Sequence, residues 1–436
     1  MTSDIDRRQI LRAGAALAAT TLLGPLATPA RASTAHPPIS LYAGSWNWKG
    51  GKRSFVQYAF DPETGTLTEL RHVTDSYSVG SVTIDARTRT LYLADEDDHQ
   101  PDFRVGGGGT IAPFRIDPAT GDLTALPVQR AFGANPSMMA VDPSGKFMVV
   151  SIHGSGDPLT KIVERVPHVY DIAIDMPESS INLFPLNADG TVAAPVDVFH
   201  TKPQDPAENQ RVSHPHCVVF APDADFFISC DKGRDVIYSM RIDAQKGRLV
   251  QAAAPFRFEA GAMPRYARFN PDHGLVYVNF ERANEIAVLR YDSTGRLERV
   301  GQAPVVPEAL LDKIPLGGHF EQQDMRLHPN GRFLYSVARG SRDYMQGGKR
   351  HYEHGFDGVS VFGIDPETGM LSPLQTLELE AHWPRGCALS PDGRFLIVPC
   401  LYSDEILTLA VAEDGTLSQV SRVAQNAAAN VTFLSL

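Results

Sequence analysis

Histidine, arginine, lysine and glutamate recur along this chain at two fixed distances from a repeated turn. The turn carries Pro143, Pro222, Pro271, Pro329 or Pro391, with Ala86 in the equivalent place, and alternating apolar runs flank it. Six positions before it stand Gly80, Ser137, His216, Arg265, Gln323 and Arg385. Ten positions after it stand Glu96, His153, Lys232, Glu281, Arg339 and Leu401, and the N-terminal repeat offers Trp46 there. Singly, each has an ordinary structural reading. A histidine at a strand start is most often a satisfied structural group, an edge arginine is usually solvated, and Glu96 heads an acidic loop with Asp97 and Asp98. The shared register changes that reading. Cations repel one another, so several converge only to hold an anion or to pair with carboxylates. Imidazole and carboxylate groups among them can move protons. The set suits acid–base chemistry on a small anionic molecule.

Those residues need a scaffold that brings sequence-distant positions to one place. Each proline-centred run, such as Met139–Val150, reads as two short strands joined by a tight turn. A third strand follows, as in Gly358–Ile364, then a glycine turn and a fourth strand. The glycine turn occurs seven times, at Gly65, Gly121, Gly190, Gly247, Gly295, Gly369 and Gly415. In each, Asp, Asn or Glu comes a few positions before the glycine and Leu or Val two after it, as a bulged hairpin requires. Seven repeats of four antiparallel strands predict an all-β, seven-bladed β-propeller. Ile39 to Ser45 reads as the second strand of a blade, and the C-terminal Asn430 to Leu436 is expected to supply its innermost strand and close the ring. The start of strand one and the end of strand two share a face. The long insertions, 97–108, 154–180 and 340–357 with the shorter 48–53, also fall there. Loops elaborated on a rigid scaffold are where function usually sits.

The bulk numbers agree. With 436 residues, 43% hydrophobic content, 36 glycines and 32 prolines, the chain can bury a large core and turn often. Residues 1–32 read as a twin-arginine signal peptide: Arg7-Arg8, an apolar stretch from Ala13 to Leu26, and an Ala30-Arg31-Ala32 cleavage site. Residues 33–436 then form a single propeller domain, periplasmic or secreted, with no stable membrane insertion after cleavage. Removing the leader takes four arginines and two aspartates, moving the net charge from −11 to −13. Such a surface argues against nucleic acid or anionic lipid as partner. The four cysteines, Cys217, Cys230, Cys387 and Cys400, lie pairwise on neighbouring strands. They read as cross-strand disulfides or as plain buried thiols.

The residues at the two registers resemble those of the seven-bladed β-propeller lactonase family, which includes propeller-type 6-phosphogluconolactonase and carboxy-cis,cis-muconate cyclase. The resemblance runs from about Leu41 to Leu417. It rests on His214-Pro-His216-Cys-Val-Val-Phe, on Met263-Pro-Arg265 with Glu281 sixteen residues later, on Ser336-Val-Ala-Arg339-Gly and on Trp383-Pro-Arg385-Gly. It implies His216, Arg265, Glu281 and Arg339 as the catalytic set. The chain departs from the family at Phe280, where Asn commonly precedes the Glu, at Leu401, and in its longer insertions.

Lactone hydrolysis needs a base for water, a donor for the carbonyl oxygen and an acid for the departing alkoxide. On this reading Glu281 activates water, Arg265 and Arg339 stabilise the oxyanion and any carboxylate, and His216 protonates the leaving oxygen. Arg385, Gln323, His153, Lys232, Glu96 and Trp46 are expected to bind substrate. The expected partner is a small anionic lactone or carboxylate. Two alternatives stay open: cyclisation of an unsaturated diacid on the same groups, and a non-catalytic binding module. No cofactor and no required metal are expected. Gly106 to Gly109 lies in an insertion and carries no dinucleotide or phosphate fingerprint.

Overall fold

The repeat pattern becomes seven antiparallel sheets, each centred on four strands in sequential order. The structure is a computed structural model that describes residues 39–46, 54–97, 108–154, 159–175, 179–201, 212–347 and 349–434. The signal-peptide reading and most of the 97–108 and 48–53 insertions lie outside those residues. Pro37–Leu436 pack as one compact unit.

Blade one is the closing blade. Ile39–Ser45 pairs on one side with Phe55–Phe60 and on the other with Ala428–Phe433. The C-terminal strand thus begins two residues earlier than expected and ends at Phe433. All seven turn glycines adopt the left-handed conformation, with φ between 61° and 86°. An L side chain there would be strained, which is why the turn repeats as glycine.

The core follows the blades. Among the described residues eight buried apolar clusters occur, and seven of them each join two neighbouring sheets. Tyr92 and Ile111 of blade two, for example, pack against Met139 and Phe184 of blade three. Every blade is thereby glued to the next by hydrophobic burial, and the ring holds its inner strands rigidly about one axis. The four cysteines sit in these clusters as free buried thiols, not as disulfides.

Two insertions form structure at the expected face. Leu159–Val166 and Val169–Asp175 make a separate two-stranded hairpin between the second and third strands of blade three. In blade six, Phe333–Gln346 and Lys349–Ile364 run on past the sheet as one long hairpin. Among the described residues, no helix is long and apolar enough to cross a membrane.

Candidate functional site

The residues of the two registers meet. Trp46, Glu96, His153, His216, Lys232, Arg265, Glu281, Gln323, Arg339 and Arg385 all line one cavity of about 480 Å³. Each is placed by the end of an inner strand. The chain kinks where strand one enters: Asn135, Met263 and Trp383 have positive φ, and the ladder slips opposite Pro136 and between Pro264 and Tyr266. Such bulges re-aim the following side chains toward the axis. Gly80, Ser137 and Leu401 share the registers but support the site instead of lining it. A side chain at Gly80 would collide with Glu96, 2.7 Å away. Ser137 donates to the carbonyl of His216 at 3.1 Å. Leu401 packs with Trp383.

Sequence reasoning missed eight lining residues: Asn135, Gly154, Arg282, His319, Glu321, Ser341, Asp343 and Trp383. Asn135, Glu321 and Trp383 share a third register, eight residues before the turn proline, which could have found them. They also change the charge. Glu96 and Glu281 were the only carboxylates expected at the mouth; Glu321 and Asp343 bring the lining to four carboxylates against five Lys and Arg side chains. The cationic excess is narrow, and most cations have a built-in partner.

Glu281 Oε2 accepts from Lys232 Nζ at 2.6 Å and from Arg265 Nε at 3.2 Å. Burial pushes the Glu281 carboxyl up, but Lys232 and Arg265 outweigh it and hold the group well below the usual carboxylate range. A carboxylate so stabilised stays ionised and is a weak proton acceptor. Across the cavity, Arg385 donates to Glu96 at 2.5 Å and stacks 4.1 Å from the Trp46 ring. Arg339 donates to Glu321 and lies 3.5 Å from the Trp383 ring. The two indoles stack at 5.9 Å and 17°. The same Arg–Glu–Trp unit therefore occurs twice, side by side, forming an aromatic wall with guanidinium faces.

The imidazoles form the other wall. His153 stacks on His214 at 4.2 Å and meets His216 edge-on at 6.0 Å. Burial, then the positive charges of Arg265 and Lys232, push the His216 pKa well below 6.5. These surroundings favour the neutral ring over the imidazolium.

Several buried polar atoms at the cavity have no hydrogen-bond partner. They are His216 Nδ1, Gln323 Nε2 and Oε1, Arg282 Nη1, and Arg339 Nε and Nη1. Leaving such groups unpaired costs about 1–3 kcal/mol each. A ligand bearing both donors and acceptors would satisfy them.

A ring of blades that converges imidazole, guanidinium and carboxylate groups on one mouth defines the class: a β-propeller with a polar cavity. Residues 40–433 match the family described as "Lactonase, 7-bladed beta-propeller". The chain belongs to that family of lactone hydrolases. It is 24% identical over 357 residues to 6-phosphogluconolactonase of Bacillus subtilis, covering 82% of this chain and 86% of that one. With 6-phosphogluconolactonase of Formosa agariphila it shares 23% over 371 residues, or 84% and 91% of the two chains. The fold superposes on the periplasmic gluconolactonase of Pseudomonas aeruginosa with TM-score 0.75 at 22% identity, covering 91% of this chain and 99% of that one.

Proposed function

We propose that this protein is an exported hydrolase that opens the lactone ring of a small anionic sugar- or acid-derived substrate at the funnel. The observation that carries this reading is the orphaned set itself: buried donors on Arg339 and Gln323 beside an unpartnered His216 nitrogen, all at one cavity. A ligand bearing donors and acceptors would meet those atoms in place of water.

Geometry favours exchanging the two roles first read from the sequence: Glu281 Oε2 is engaged by Lys232 and Arg265, whereas His216 Nδ1 has no protein partner among the described residues and is free to take a proton. Neutral His216 takes a proton from water, and the hydroxide oxygen forms a bond to the lactone carbonyl carbon. Arg339 and Arg265 donate to the developing oxyanion. The ring C–O bond then breaks, and the imidazolium of His216 returns its proton to the departing alkoxide. Glu281 acts as counter-charge, keeping Lys232 and Arg265 in place and ionised. The open product carries a new carboxylate, so the guanidinium groups favour the late stages over the neutral ring. The Trp46–Trp383 pair offers a flat apolar face to the ring of the substrate.

A panel of sugar and acid lactones, set against muconate-type diacids and followed optically, tests the reading. Turnover of lactones alone supports hydrolysis. Turnover of diacids alone would move the assignment to cyclisation on the same groups. The binding-module alternative draws support from one feature: the 159–175 hairpin exposes Ile162, Tyr170 and Ile172, at 78%, 62% and 67%. Its deletion should leave lactone turnover intact if that surface serves a separate purpose. Export rests on the Arg7-Arg8 leader, and is tested by following processing at Ala32 in cells.

A further inference from the structure

We propose that His354, Asp357 and His382 form a binding site for one divalent transition-metal ion such as Zn²⁺, which braces the aromatic wall of the funnel. One ligand atom from each of the three lies within 4.8 Å of the other two. Asp357 Oδ2 is 2.7 Å from His354 Nδ1 and 3.5 Å from His382 Nδ1. A tetrahedral ion with ligand bonds near 2.1 Å spaces its donor atoms by roughly 3.3 Å. The two distances straddle that value, so small side-chain rotations admit an ion.

The backbone prepares this cluster. Residues three apart on a strand normally face opposite ways. Here the ladder slips between Gly340 and Ser341, whose partners are Phe356 and His354, so Gly355 is the extra residue of a bulge. The bulge returns His354 and Asp357 to one face. His382 arrives from the connection between blades six and seven.

The carboxylate is oriented as metal-ligating carboxylates are, by partners behind it. The Trp383 backbone N–H donates to Asp357 Oδ1 at 3.2 Å, and the Tyr352 hydroxyl donates to Oδ2 at 3.0 Å. The Asp357 side chain is fully buried, whereas those of His354 and His382 are 41% and 44% exposed. An ion would therefore have protein on one side and water on the other, with an open route in. His382 Nδ1 is itself buried, and its long 3.5 Å approach to Asp357 Oδ2 leaves it without a well-formed hydrogen bond. Two imidazoles with one carboxylate select Zn²⁺, Co²⁺ or Ni²⁺ over Ca²⁺ or Mg²⁺, which take oxygen ligands.

None of the three ligands lines the catalytic cavity, but Trp383 does. Tyr352 stacks on Tyr402 at 4.2 Å, and Tyr402 donates to the lining residue Asp343 at 3.1 Å. An ion would thus tie the long blade-six hairpin to the segment that carries Trp383, and through its indole would steady Arg339. The hydrolytic steps themselves need no metal here; the ion is a brace.

The test uses full-length protein stripped with chelator, then titrated with Zn²⁺ in a calorimeter and with Co²⁺ by visible absorption. One Zn²⁺ per chain is expected, with a low-coordinate Co²⁺ spectrum and a fluorescence change that Trp383→Phe abolishes. His354→Ala and His382→Ala, both at half-exposed positions, should each weaken binding by about 100-fold or more. Asp357→Asn should do the same, and its folding is checked by circular dichroism because the residue is buried. No saturable binding to the wild type, or wild-type binding by both histidine variants, overturns the site.

Discussion

The two faces of the propeller satisfy their polar groups in opposite ways. On the turn face each turn is closed by its own acidic residue: Asp142 accepts from the backbone of Ser144 at 2.9 Å and Phe147 at 2.7 Å, and Asp365 from Glu367 and Thr368 at 3.1 and 2.8 Å. On the funnel face the charged partners lie farther apart along the chain, and two of the pairs cross between blades. Lys232 meets Glu281 across 49 residues of sequence, and Arg385 meets Glu96 across 289. Local pairing completes itself and leaves nothing for a ligand. The funnel pairs leave surplus atoms, such as Arg339 Nε and Nη1, at a shared cavity. The turn face is thus built for stability and the funnel face for binding.

Mutations can break that division, and the largest effect should come from the base. His216→Asn should lower kcat by roughly 10³-fold with little change in melting temperature, measured on the lactone turned over best. A variant with near-wild-type kcat removes His216 from the chemistry. Arg339→Met follows, with a loss of about 10²-fold in kcat/KM from the missing oxyanion donor. Glu281→Gln is expected to cost less, about 10-fold, and to act partly through KM, because Lys232 and Arg265 lose their counter-charge. A loss matching that of His216→Asn, with KM unchanged, would return the base role to Glu281.

The pH profile sharpens the same point. Burial and the neighbouring cations lower the His216 pKa, so its neutral, proton-accepting form persists below pH 6.5. Activity should hold as pH falls past 6.5 and drop only at a lower inflection in kcat/KM. An inflection at or above 6.5 contradicts the neutral imidazole. The smallest functional effect belongs to the turn face. Asp142→Ala should leave kcat and KM unchanged while costing about 2 kcal/mol in denaturant unfolding, since the buried turn amide of Phe147 loses its acceptor.

The same contrast explains how much was legible in the sequence. The turns could be read because their chemistry is local: Asp365, Thr368 and Gly369 specify one bend among themselves. Counting from those turns then put ten lining residues in one cavity. What stayed hidden depends on three dimensions. Glu321 was readable only from a third register that the first two do not suggest, and Asp343 reaches the funnel on an extended hairpin, so the near-balance of charge went unread. The protonation state of His216 depends on burial and on Arg265, Lys232 and Arg385, which lie far from it along the chain. Nor could the His354–Asp357 pairing be seen, because an unmarked extra residue, Gly355, decides which way His354 points.

The strand Ala428–Phe433 is the last part of the sheet system to leave the ribosome, yet it completes the first blade. Arg385 reaches past that seam to the Gly80 carbonyl and to Glu96. Until synthesis has passed Phe433 the circle is a horseshoe, and this pair has no fixed separation. Closure of the ring and the fixing of this ion pair thus depend on the same six-residue strand.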